Sequence, residues 1–161
     1  PRRGRAVGGC HAGGHDADAA YRLLDEAAEG EEEAFVAPSG PHGGVLHHVR
    51  DRVGMLRELR RVLRPGGRLV LSTVHPTADW LWSGGGYFDV ADLDEEWNDG
   101  WKVRYRRQPL SAWCDELDDA GFLIERVVEP RPAPEMAATF PDIHDRLVRE
   151  PAFLALSLVP R

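Results

Sequence analysis

The segment GGVLHHVRDRVGMLRELRRVLRPGGRLVLSTVHP, residues 43–76, constrains the fold more than any other part of the chain. Val49, Val53, Leu56, Leu59 and Leu63 recur at helical spacing and form one apolar stripe, Asp51 stands where an N-cap belongs, and the arginines at 50, 52, 57, 60, 61 and 64 take the opposite face. Pro65-Gly66-Gly67 ends such a helix in a tight turn. RLVLSTV, 68–74, is almost continuously apolar, as a strand covered on both faces should be. A helix over 51–63 that buries its stripe against that strand predicts an α/β sheet.

A second helix–strand unit follows. AWCDELDDA reads as a helix capped by Ser111, with Trp113, Leu117 and Ala120 on one face and Gly121 at its end. FLIERVV (122–128) and FLALSLV (153–159) read as two more strands in the same sheet, separated by a Pro-rich passage and a short helix around DIHDRLVRE. Upstream, residues 1–15 have no periodicity and are expected to be loose. DADAAYRLLDEAAE predicts a helix, EGEEE a solvated acidic loop, and AFVA (34–37) a short strand, after which PSGPHGG breaks regular structure. Between the two units, residues 75–108 concentrate Trp80, Trp82, Tyr87, Phe88, Trp97, Trp101 and Tyr105. This segment reads either as a lid that grips an organic substrate or as an insertion packed over the sheet edge.

With 161 residues and 42% hydrophobic content, the chain suits one domain, 1–161. Its formal charge of −7 argues against a general nucleic-acid binder, for which the six arginines would have to form one continuous positive face. Cys10 and Cys114 build no disulfide framework, no apolar run has membrane-spanning length, and PRRGRAVGGCHAGG lacks the apolar middle of a secretory signal. A soluble, cytoplasmic protein without membrane partners is the expectation. Cys10, His11, His15, His42, His47 and His48 offer metal-ligand types, but no paired spacing organises them, so no metal is expected.

Val45-Leu46-His47-His48-Val49, the helix, Leu63-Arg64-Pro65-Gly66-Gly67 and the strand to Thr73 resemble the fourth-to-fifth-strand region of the class I S-adenosylmethionine-dependent methyltransferases. YRRQPLSAW (105–113), DAGF (119–122), VVEPRPAPE (127–135) and REPAFLALSL are similar to the distal part of the small-molecule branch of that family, so the resemblance covers residues 43–161. It implies a Rossmann-like methyltransferase fold, an incomplete sheet of parallel strands with an antiparallel C-terminal edge strand. It also implies S-adenosylmethionine as cofactor and methyl transfer to a small organic acceptor.

Upstream the pattern weakens. The family's first strand ends in a D-x-G-x-G-x-G loop, whose glycines let backbone approach the cofactor. VGGCHAG (7–13) matches it only at Gly9 and Gly13, with His11 where a glycine belongs. Asp16 would be the acidic residue that grips the ribose, AFVA the remnant of the third strand, and Pro and Gly replace the fourth strand that should run into Leu46. The resemblance therefore implies a degenerate or truncated proximal part, 1–44, ahead of a distal half, 45–161, that carries the aromatic insertion. The competing reading is a noncatalytic methyltransferase-like protein that binds a partner or forms a homodimer.

Ligands of open α/β sheets sit at the C-terminal strand ends, where Leu46 to His48 and His75 would flank the transferring methyl. The resemblance makes Gly9, Gly13, Asp16, Leu46 and His47 the cofactor-binding candidates. His47 and His75 are the catalytic candidates, since a neutral imidazole takes a proton from an OH or NH nucleophile. Tyr87, Trp97, Tyr105 and Arg106 are the substrate-binding candidates, with Glu129 as a further polar contact. The plainer alternative is that these histidines cap a helix or pack beneath the site.

Overall fold

The computed structural model describes residues 34–37, 39–40, 43–97 and 101–161. The expectations for the loose terminus, the helix after Asp16 and the acidic loop fall outside them.

In chain order the elements are β1 (Ala34–Ala37), β2 (Ser39–Gly40), β3 (Gly43–Gly44), α1 (Val45–His48), α2 (Arg52–Val62), β4 (Arg68–Val74), α3 (Pro76–Ser83), β5 (Ala91–Trp97), β6 (Trp101–Arg107), α4 (Leu110–Asp119), β7 (Phe122–Val128), α5 (Met136–Thr139), α6 (Pro141–Leu147) and β8 (Phe153–Pro160). A sheet in the order β1-β4-β8-β7 forms the centre, and β2-β3 and β5-β6 make two separate ribbons. Strands 68–74, 122–128 and 153–160 thus share one sheet.

Two expectations are corrected here. The C-terminal strand β8 is antiparallel but is no edge: it lies between β4 and β7 and pairs antiparallel with both, leaving β7 at the border. Its alternation reflects one face packed on the core, with Leu154, Leu156 and Leu158 buried. The second correction concerns AFVA, which pairs directly and in parallel with β4, Ala34 against Arg68 through Ala37 against Leu71. The neighbour of β4 is therefore AFVA itself, and PSGPHGG supplies only the β2-β3 ribbon that leads into α1.

Helix α2 forms as its sequence dictates. Asp51 caps it, with Oδ1 accepting the Gly54 N–H at 2.8 Å, and Pro65-Gly66 ends it in a turn where Gly66 takes φ 80°. Leu56 is fully buried, while Val53, Leu59 and Leu63 pack partly against the core. Arg52 departs from the expected outer face of arginines: it is buried, at 3% exposure.

Helix α4 starts at Leu110, not at the Ser111 cap. Its N-cap is Pro109, and the Leu110 N–H donates to the Tyr87 phenol at 3.2 Å, so a distant side chain satisfies an amide that Ser111 cannot reach from inside the first turn. Gly121, at φ 84°, ends it. Trp113, Leu117 and Ala120 join Leu46, Leu56, Leu69, Leu71, Phe122 and the β8 leucines in the core. Ile143, by contrast, is exposed on α6.

The aromatic segment resolves into α3 and a hairpin. ADLDEEW lies against WKVRYRR so that Asp92 faces Arg106, Asp94 faces Arg104 and Glu96 faces Lys102. Opposite charges directly across a strand pair fix the register.

Candidate functional site

At the C-terminal end of β4, α1 and the start of α3 meet β6. His47 of α1 is buried at 2% exposure. Its Nδ1 donates to the Arg106 carbonyl at 3.1 Å, so its Nε2 is the acceptor, and it receives the Thr73 hydroxyl from the end of β4. The rings of Trp113 and Tyr105 surround it, with centroids at 5.3 and 6.4 Å. Burial pushes the His47 pKa down to about 4 against the opposing pull of the Arg106 carbonyl, with the positive charge of His48 and Arg52 adding to the fall. The ring is therefore neutral near pH 7, and the Asp79 carboxylate 3.9 Å from Nδ1 is a neighbour of an uncharged imidazole.

His75 follows β4 directly and caps α3. Its Nδ1 accepts the Thr77 N–H at 3.1 Å, its Nε2 donates to Glu129 Oε1 at 3.0 Å, and the ring is buried while the Glu129 side chain is 61% exposed. Pro76 at the first helical position lacks the N–H that such a start leaves unpaired, which is why HP opens a helix here. Asp79 stands one turn into α3, its N–H bonded to the His75 carbonyl at 3.1 Å. The two candidate histidines thus flank one strand end, with Thr73 and Asp79 between them.

Other sequence candidates are placed as follows. Leu46 is buried in the core, so it can meet a ligand only through its backbone. His48 is exposed, and its Nδ1 donates to the Arg104 carbonyl at 2.9 Å. Tyr105 is buried, whereas Tyr87 is half-buried, with its ring 6.2 Å from Trp80 and 5.1 Å from Phe88. The Arg106 guanidinium faces Asp92 at 3.8 Å on the hairpin. Trp97 lies on β5, but its side chain, like Gly9, Gly13 and Asp16, falls outside the described residues. A cavity of about 590 Å³ lies at the opposite end of β4 and is lined by neither ring.

Sequence reasoning missed the polar group beneath His47. Arg52 Nε donates to Glu116 Oε2 at 2.8 Å and Nη2 to Gln108 Oε1 at 2.6 Å, Gln108 donates to Glu116 at 3.1 Å, and the guanidinium lies 5.4 Å over Trp113. The i, i+8 pairing of Gln108 with Glu116 carries no periodic signal, and Arg52 looks like one more exposed arginine in a run of them. Among the described residues, no three His, Cys, Asp or Glu side chains gather as a metal would need. None of the described helices is long and apolar enough to cross a membrane.

The methyltransferase domain family model matches residues 42–71, a stretch that takes in β3, α1, α2 and the first part of β4. No curated protein matches the sequence. Among solved structures, the chain is similar to a Listeria monocytogenes protein assigned as an S-adenosylmethionine-dependent methyltransferase, with 22% identity over 80% of this chain and 61% of that one at a TM-score of 0.64. An S-adenosylmethionine-dependent methyltransferase from Mesorhizobium loti matches with 23% identity over 73% of this chain and 58% of that one, at a TM-score of 0.51. The chain spans about three fifths of the length of these structures. The helix–turn–strand match and these likenesses agree: the chain has the fold of the class I S-adenosylmethionine-dependent methyltransferases.

Proposed function

We propose that the chain takes part in methyl transfer from S-adenosylmethionine to a small organic acceptor, as one cytoplasmic domain, 1–161, with its weaker cofactor half in residues 1–44. The observation that carries this reading is that the family-matched stretch leads into the end of β4, where His47, Thr73, His75 and Asp79 converge. The carboxylate of Asp79 at that end suits a positively charged group such as a sulfonium. Leu46 and His47 would flank it from α1. Gly9, Gly13 and Asp16 remain the proposed contacts to methionine and ribose.

The bound cofactor supplies an electrophilic methyl group. The acceptor's proton falls to the His75–Glu129 pair: His75 Nε2–H holds one carboxylate oxygen, which orients the exposed Glu129 side chain for the acceptor's OH or NH. His47, with both ring nitrogens engaged inside the protein, acts by positioning β6 against β4. Tyr87, Trp97, Tyr105 and Arg106 belong to the segment proposed as the acceptor-side wall.

Calorimetric titration with S-adenosylmethionine tests the reading. His11 in a glycine position forfeits backbone contacts, so a dissociation constant on the order of 100 μM or weaker is expected. Glu129→Gln and His75→Ala should then lower methyl transfer at retained cofactor affinity. Absence of any cofactor binding would leave the noncatalytic reading, a partner-binding or homodimeric module. The exposure of Leu81, Trp82, Phe88 and Val90 on the aromatic segment favours that alternative.

A further inference from the structure

The end of β6 and the residue after it, Arg106-Arg107-Gln108, hold three different elements together. The Arg106 carbonyl takes His47 of α1, and Gln108 joins the pair that Arg52 of α2 makes with Glu116 of α4. Arg107 reaches α3. Its side chain is buried, at 6% exposure, and its Nη1 donates to Ser83 Oγ at 2.8 Å and to the Gly84 carbonyl, the last residue of that helix and its C-cap. A guanidinium in this place also meets the negative end of the helix dipole. Ser83 passes the contact on: its hydroxyl accepts from Arg107 and donates to the Asp79 carbonyl, one turn back, at 2.7 Å. The Asp79 carboxylate stands 3.9 Å from His47 Nδ1. The turn beyond α3 packs on the same guanidinium, for Gly84 and Gly85 take φ 71° and 80°, the Trp80 indole donates to the Gly85 carbonyl at 2.8 Å, and a Cβ on Gly85 would come within 3.2 Å of Arg107 Nη2. Helix α3 is thus held at both ends, by His75 at its start and by Arg107 at its finish, with Asp79 between them.

We propose that Arg107 is a positioning residue, which acts through Ser83 to hold Asp79 against His47. Its part in cofactor binding rests on the methyl-transfer reading, in which Asp79 is the carboxylate that faces the sulfonium; a shift of α3 would carry that carboxylate away from the charge. The two arginines of YRRQ look alike in sequence. Strand alternation separates them, sending the Arg106 side chain outward to Asp92 at 3.8 Å and the Arg107 side chain inward to α3.

The ring nitrogen resonances of His47, read by NMR on the whole chain near neutral pH, test this placement without any ligand. Arg107→Gln and Ser83→Ala should each move them in the direction that Asp79→Asn moves them, and Arg107→Lys, which keeps a donor for Ser83, should restore part of the shift. In an Asp79→Asn background neither change should add to it, because the path runs through that carboxylate. Ser83 is exposed and lies on α3, so Ser83→Ala separates this path from the Arg106 carbonyl on β6 and carries the test by itself where Arg107→Gln fails to fold. Calorimetric titration of the same proteins with S-adenosylmethionine should show affinity lowered about threefold or more by either change. Resonances that stay in place in both variants, or that shift as far in the Asp79→Asn background, would overturn the positioning role. Unchanged affinity in a chain that binds the cofactor would overturn its part in cofactor binding. A chain that binds no S-adenosylmethionine while the resonances move as expected would end the methyl-transfer reading and leave the placement of Asp79 by Arg107 standing.

Discussion

The two ends of strand β4 carry polar groups of opposite character. At its C-terminal end, His47, Thr73 and His75 are buried, and both nitrogens of each ring are engaged by protein. At its N-terminal end, Arg57, Arg60, Arg61 and Arg64 stand exposed around an open hollow. The same helix serves both ends, sending Arg52 inward to Glu116 and Gln108 and its later arginines outward. Changes at the closed end should therefore cost more stability than changes at the open end.

The largest effect belongs to the residue that docks this shared helix. Leu56 has no exposed surface, so Leu56→Ala should destabilise by about 2–5 kcal/mol, read by denaturant titration. Leu59, only partly buried, should cost less when truncated. Equal losses at the two positions would mean that α2 is not docked through Leu56.

Acid separates the two ends next. His47 is held near pKa 4 in the fold against 6.5 when unfolded, so between those values the unfolded chain binds more protons and the fold loses stability as pH falls. Its contribution is fully present above about pH 6.5 and gone below about pH 4. A displacement of this size is about 3 kcal/mol, and His47→Gln should flatten that part of the stability–pH curve. A wild-type curve already flat from pH 6.5 to 4 would show that water reaches the ring.

How far the sequence foretold this arrangement follows from how local each determinant is. The α2–turn–β4 unit was readable because cap, stripe, turn and apolar run lie within one short stretch. The place of β8 inside the sheet was not, since alternation tells which face is buried but not which strands are neighbours. Both histidines were visible as candidates, but their partners were not. Arg106 is 59 residues from His47 and Glu129 is 54 from His75, distances that no periodicity spans. The charge alternation of ADLDEEW against WKVRYRR is a local signal for the hairpin, set among aromatics that fit a lid as well as a ribbon.

A smaller effect tests where the two helices α2 and α4 meet near the open end. Gly121 has φ 84°, and a side chain there would run into the Arg60 guanidinium. Gly121→Ala should cost about 1–2 kcal/mol for the left-handed backbone. Arg60, being exposed, can swing aside, so Arg60→Ala should leave stability nearly unchanged. A Gly121→Ala protein as stable as the parent would mean that the turn after α4 relaxes to another conformation.

The smallest effect is the sharpest statement of the difference between the ends. Arg61 and Glu58 form an ion pair at 2.8 Å, with both side chains about two thirds exposed. Exposed pairs three apart on a helix contribute a few tenths of a kcal/mol, because water screens the attraction and two long side chains lose freedom to make it. Arg61→Ala should therefore shift the thermal midpoint by no more than about 2 °C, and added salt should shrink even that. Glu58→Gln should be as mild for stability. A Glu58→Gln protein that is destabilised as strongly as Leu56→Ala would mean that the open end is held together as the closed end is, by partners within the protein.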